Sequence, residues 1–133
     1  MAVLHPLTDA AATPEARAIL DEIRAARKSD FVNDFWRVLA HDPALMRATW
    51  ERLQVVMAPG ALDPLVKEMI YVAVSVTNGC SYCVHSHTAA AKAKGMTEAQ
   101  HGELMAVIAM AAQTNALANA LQVEADPVFR AER

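Results

Sequence analysis

The chain has 133 residues and a formal net charge of −3, with 54% apolar and 20% charged residues. That length suits one domain over residues 1–133 with a real core, and the composition excludes a disordered chain. The negative balance, with no basic stripe, excludes the electrostatic footprint of a nucleic-acid binder.

Aromatic residues make up only 5%, while alanine and methionine abound, which favours helices over sheet. The opening segment Met1-Ala2-Val3-Leu4-His5-Pro6 has no basic stretch leading into an apolar one. The longest nearly uncharged apolar run, 69–76, is too short to span a bilayer. The expectation is a soluble cytoplasmic protein with no membrane partner.

Thr13-Pro14-Glu15 combines an N-cap, a proline at the first helical position and an acid in the first turn. It predicts a helix ending near Lys28, with Ile19, Leu20 and Ile23 at core spacing. A short helix fits 32–41, with Phe35, Trp36 and Leu39 apolar. Asp42-Pro43 repeats the cap-and-proline signal and opens a third helix. Its apolar face is Leu45, Met46, Trp50, Leu53, Val56 and Met57. Pro59-Gly60 ends it, and Asp63-Pro64 opens a fourth that runs to about Thr77, where Asn78-Gly79 breaks it.

Because 69–76 is apolar nearly all round, this fourth helix should be central and covered on every side, with room for another subunit to supply some of that cover. A fifth helix starts at Cys80 or Ser81 and stops at Gly95. Thr97-Glu98-Ala99-Gln100 is a capping box for a sixth, which reaches Leu121 or beyond with Leu104, Val107, Ile108 and Ala111 inward. With no strand-period alternation, the fold class is all-α, a bundle of about six helices. Abundant alanine and methionine suit helix–helix contact between subunits, so a homo-oligomer is expected.

The chemistry concentrates at Cys80-Ser81-Tyr82-Cys83. The first N–H groups of a helix are unpaired and carry the positive end of its dipole, so a thiolate there is stabilised. Two intervening residues let the sulfurs reach each other, and the pair can cycle between dithiol and disulfide. His87 lies four residues after Cys83 and seven after Cys80, so all three project within about 60° on one helix face. His85 falls on nearly the opposite side. The phasing therefore selects His87 to take or stabilise a thiol proton.

On the fourth helix Lys67, Tyr71, Ser75 and Asn78 form a polar stripe, and Glu68 lies off it, in line with Val72 and Val76. A carboxylate on an apolar face needs a partner. If Asn78-Gly79 closes an antiparallel hairpin, Glu68 stands level with His87, and Cys83, His87 and Glu68 run up it as a proton relay. Tyr82 shapes the pocket or simply packs. Cys80, Cys83, His87 and Glu68 are also four ligands of types that zinc accepts, which keeps open a non-enzymatic metal-binding or small-ligand-binding helical oligomer.

Leu62-Asp63, Lys67-Glu68, Ala73-Val74-Ser75, Asn78-Gly79-Cys80-Ser81-Tyr82-Cys83 and His87-Thr88 together resemble the alkylhydroperoxidase D-like, or carboxymuconolactone decarboxylase, superfamily. The likeness extends over about 35–121. The redox branch of that superfamily has a Glu twelve residues before the first Cys of C-x-x-C and a His four after the second, a spacing that Glu68, Cys80, Cys83 and His87 meet. The resemblance implies an all-helical fold assembling as trimers or hexamers. It also implies an antioxidant thiol peroxidase or disulfide reductase activity without metal, haem or other cofactor. By that analogy Cys83 attacks a peroxide and Cys80 resolves the sulfenic acid, with His87 and Glu68 moving the proton through a water. A lipoyl or thioredoxin-like partner then reduces the disulfide. Tyr82 stands where the best-characterised relatives carry a histidine. The decarboxylase branch lacks the cysteine pair, so decarboxylation is not expected.

Overall fold

The computed structural model describes residues 2–129. Among them are six α-helices, a short 3-10 turn at Pro127–Phe129 and no strand. They fall into two compact units, one ending at Ala58 and one beginning at Pro59.

The first unit contains α1 (Pro14–Arg27), α2 (Asp34–Leu39) and α3 (Pro43–Met57). Thr13 and Asp42 cap α1 and α3 as their sequence signals predict, each accepting a backbone N–H from the first turn. Helix α2 is shorter than the expected 32–41, because Asn33 is its N-cap and Val32 is buried ahead of it in extended chain. Ile19, Leu20, Ile23, Trp36, Met46 and Trp50 make the core, the two indoles meeting edge to face at 5.3 Å. Leu45 and Val56, expected on the apolar face of α3, are 51% and 45% exposed. Asp9 ties the N-terminal segment to this core through two hydrogen bonds from Arg24, at 2.9 and 2.8 Å, and one from Arg37 at 3.0 Å.

The second unit contains α4 (Pro64–Thr77), α5 (Ser81–Ala93) and α6 (Glu98–Ala120). Helices α4 and α5 form a hairpin whose turn follows from Asn78-Gly79. Gly79 takes φ +69°, its N–H donates to Val76, and the Cys80 N–H donates to Ser75 at 2.9 Å. Both bonds satisfy carbonyls that the end of α4 would otherwise leave open. Cys80 thus closes one helix and caps the next in a single residue. Gly95, at φ +97°, ends α5 in the same way, and the Thr97–Gln100 capping box opens α6.

Within one chain α4 is not covered on every side: Ile70, Val74 and Val76 are 48%, 52% and 38% exposed. In its own unit α4 packs on α5 and, less extensively, on α6, which leaves part of its surface open. Of the α6 residues expected inward, Leu104 and Ile108 are half-buried, whereas Val107 and Ala111 are exposed. At 23 residues against 14, α6 outruns α4 by about 13 Å at 1.5 Å per residue.

A Cβ at Gly79 meets no atom within 4 Å, so its constraint is the left-handed backbone alone. Gly79→Ala is expected to cost about 1–2 kcal/mol of stability. It should lower the urea midpoint without changing the slope, as followed by circular dichroism.

Candidate active site

The α4–α5 hairpin carries every residue of the site. Glu68 and Val72 lie on the buried face of α4, at 5% and 0% exposure, as the helical phase predicts. His87 projects from α5 toward them, and its Nδ1–H donates to Glu68 Oε2 at 2.7 Å. With Nδ1 donating to the carboxylate, Nε2 is left as the imidazole's second functional nitrogen. Lys94, at the end of α5, donates to the other oxygen, Glu68 Oε1, at 3.0 Å. Burial pushes the Glu68 carboxyl up. The hydrogen bonds and charges of His87 and Lys94 more than offset this and hold it below the ordinary carboxylate value.

Tyr71 lies over His87 with ring centroids 3.5 Å apart and planes at 16°, a stack that sets the orientation of the imidazole. Burial raises the Tyr71 phenol, and the charges of Cys83, Glu68 and Cys80 act in the same direction. The phenol therefore stays protonated in a site where both thiols and the carboxylate reach it. Two members of the polar stripe are shielded from water: Tyr71 is half-buried and Ser75 is 4% exposed, its hydroxyl donating to the Tyr71 carbonyl at 2.7 Å.

Cys80 and Cys83 are both free thiols. The Cys83 backbone N–H donates to Cys80 Sγ at 3.3 Å, which is the helix-cap role expected of a sulfur at this position. Donation from the Cys83 side chain, and then from its N–H, lowers the Cys80 thiol below the ordinary value. Burial pushes Cys83 up to about 11, reinforced by the hydrogen bond to Cys80 and by its charge. The first proton to leave the pair therefore comes off Cys80.

The hairpin thus brings Glu68 onto His87, and Cys83 onto Cys80. Tyr82 is 44% exposed, and His85 is exposed on the opposite face of α5. Sequence reasoning missed Lys94 and the role of Tyr71. The signals were available: Lys94 is two turns beyond His87 on one face of α5, and Tyr71 is three residues after Glu68. Among the described residues no three His, Cys, Asp or Glu side chains group so that they could hold a metal ion. Nor is any helix there long and apolar enough to cross a membrane.

An all-helical domain with a free dithiol at a helix start, beside a buried carboxylate–imidazole pair, defines a helical dithiol protein. Residues 43–126, more than half of the chain, match the Carboxymuconolactone decarboxylase family. The chain belongs to that family, in the alkylhydroperoxidase D-like branch that carries the C-x-x-C pair. A crystal structure of the alkylhydroperoxidase AhpD core from Rhodospirillum rubrum is 58% identical, covers 99% of both chains and superposes with a TM-score of 0.95. The alkyl hydroperoxide reductase AhpD of Solibacter usitatus is 40% identical over 77 residues, 58% of this chain and 41% of that protein. An uncharacterized protein of the Paracoccus denitrificans cox locus is 38% identical over 63 residues, 47% of this chain and 54% of that protein. The chain thus spans about half the length of these two curated relatives.

The folded Glu68 carboxyl lies below its unfolded value of about 4.3. Its ionised form therefore contributes stability that is fully present above that pH and is lost as pH falls through the folded value. Glu68→Gln is expected to cost about 2 kcal/mol at pH 7. It should also flatten the loss of thermal stability on acidification below about pH 4.3, as read by calorimetry across pH.

Proposed function

We propose that this protein is an antioxidant thiol peroxidase or disulfide reductase that cycles the Cys80–Cys83 pair between dithiol and disulfide. The single observation that carries the reading is the 2.7 Å hydrogen bond between His87 and the buried Glu68, one helical turn beyond Cys83 and two beyond Cys80. The name of the similar Solibacter usitatus protein points to alkyl hydroperoxides as the substrate class.

In the proposed cycle His87 Nε2 takes the Cys83 proton through a water, while Glu68 accepts from Nδ1 and stabilises the imidazolium. This assistance is what a thiol raised to about 11 requires to react near neutral pH. The Cys83 thiolate attacks the peroxide O–O bond, becomes a sulfenic acid and releases the alcohol. The Cys80 sulfur then displaces hydroxide from the Cys83 sulfur, giving water and the disulfide. Two thiols are oxidised and one peroxide bond is reduced. A lipoyl or thioredoxin-like dithiol returns the pair to its reduced form by exchange. A cytoplasmic location agrees with this chemistry, since that compartment supplies such dithiols.

We further propose that the working form is a homo-oligomer, a trimer or hexamer. Val66, Ile70 and Val74 form an exposed apolar row on α4 at 40%, 48% and 52% exposure, and Met110 and Leu117 on α6 are 53% and 51% exposed. Large side chains of this kind are costly in water and mark association surfaces.

The test is intact mass after peroxide treatment of the reduced protein. One Cys80–Cys83 disulfide per chain is expected. Cys80→Ser should stop at a sulfenic acid on Cys83, and Cys83→Ser should abolish peroxide consumption. Two thiols left free by peroxide, or undiminished turnover by Cys83→Ser, sinks the reading. For assembly, light scattering on the purified chain should return a trimer or hexamer mass, and Ile70→Glu should shift it toward the monomer.

A further inference from the structure

The two oxygens of Glu68 serve two different groups of one helix. Oε2 accepts from His87 at 2.7 Å and Oε1 accepts from Lys94 at 3.0 Å. A lysine at a helix C-terminus already has a reason to be there, since the dipole favours a cation. That reason is met by any ammonium in solvent and does not require a carboxylate only 5% exposed as its partner. The titratable groups that face Glu68 are Tyr71 of its own helix, His87 and Lys94. Of these, Lys94 is the one that meets Glu68 Oε1, the oxygen that His87 does not use.

Counting charges gives the pairing its consequence. With the ammonium on Oε1 the buried carboxylate is compensated, and His87 need supply only the hydrogen bond to Oε2, which leaves Nε2 open. Without the ammonium, the carboxylate has only the imidazole to compensate it. A buried carboxylate with no other partner favours the imidazolium, which has no acceptor nitrogen. Resting on the function proposed above, we infer that Lys94 is a positioning residue of the relay. Its ammonium keeps Glu68 an oriented carboxylate so that His87 waits as a base rather than as a cation.

Direct action on the thiol is separable from this route. Lys94 stands eleven residues beyond Cys83 on α5, about 16 Å at 1.5 Å per residue. The screening length at physiological ionic strength is about 8 Å. A shift in Cys83 reactivity on removing this ammonium therefore has to pass through Glu68 and His87.

The experiment follows iodoacetamide alkylation of Cys83 against pH in the full chain carrying Cys80→Ser, so that one thiol reports. Lys94→Met and Lys94→Gln should each move the alkylation midpoint down by about one pH unit, a tenfold faster reaction at pH 7, because the imidazolium they leave beside Cys83 stabilises its thiolate. Lys94→Arg, which keeps the charge, should restore the original midpoint. In a Glu68→Gln background, Lys94→Met should add no further shift. Unmoved midpoints in folded Lys94→Met and Lys94→Gln overturn the inference. A Lys94→Arg profile matching Lys94→Met, or a full extra shift in the Glu68→Gln background, overturns it equally. Alkylation is read without peroxide, so these failures are distinct from failure of the peroxidase reading, which the disulfide assay decides.

Discussion

A carboxylate removed from water must be compensated, and the second unit of this protein is arranged around one that is. Glu68 is 5% exposed on the face of α4 that also buries Val72. Left alone there, it would cost several kcal/mol, or take up a proton and lose its charge. Helix α5 supplies both partners, an imidazole and an ammonium seven residues apart on one face. That requirement limits how α5 can lie. It must run back along α4 in a phase that brings His87 and Lys94 to the carboxylate, and the same phase carries the thiols at its first turn.

The turn between these helices does double work for the same reason. A helix end leaves carbonyls unsatisfied, and a helix start leaves N–H groups unsatisfied. At Asn78-Gly79-Cys80 a left-handed glycine answers the first need, and the cysteine sulfur answers part of the second. The cap also makes the two thiols unequal. Cys80 receives hydrogen bonds that favour its thiolate, whereas Cys83 is buried and pushed up. An unequal pair beside a base suits the proposed cycle, because each sulfur needs a different protonation state at a different step.

Tyr71 connects the two halves of the site. Its ring stacks on the imidazole, and its phenol lies within electrostatic reach of both thiols and of Glu68. A stacked ring removes rotational freedom from His87 that the hydrogen bond to Glu68 alone would leave. The apolar row left open on α4 lies away from the buried Glu68–Val72 face, so association through that row need not disturb the relay.

Much of this was legible in the residues themselves. Every α-helix start but that of α2 was signalled by a capping residue or by the Asn78-Gly79 break, and the C-x-x-C pair, the phase of His87 and the off-stripe position of Glu68 followed from spacing. These features are local, set by hydrogen bonds a few residues apart and by a fixed rotation per residue. What only the tertiary structure decided lies at longer range. The pairing of Glu68 with Lys94 spans 26 residues, and the stack of Tyr71 on His87 crosses the hairpin. The exposure of Val107, between the half-buried Leu104 and Ile108, likewise depends on which side of α6 meets a neighbour. Helix phase tells which way a side chain points, but only the packing of one helix on another determines what it meets. The thiol pair could therefore be found from sequence alone, while the ammonium that completes its relay could not.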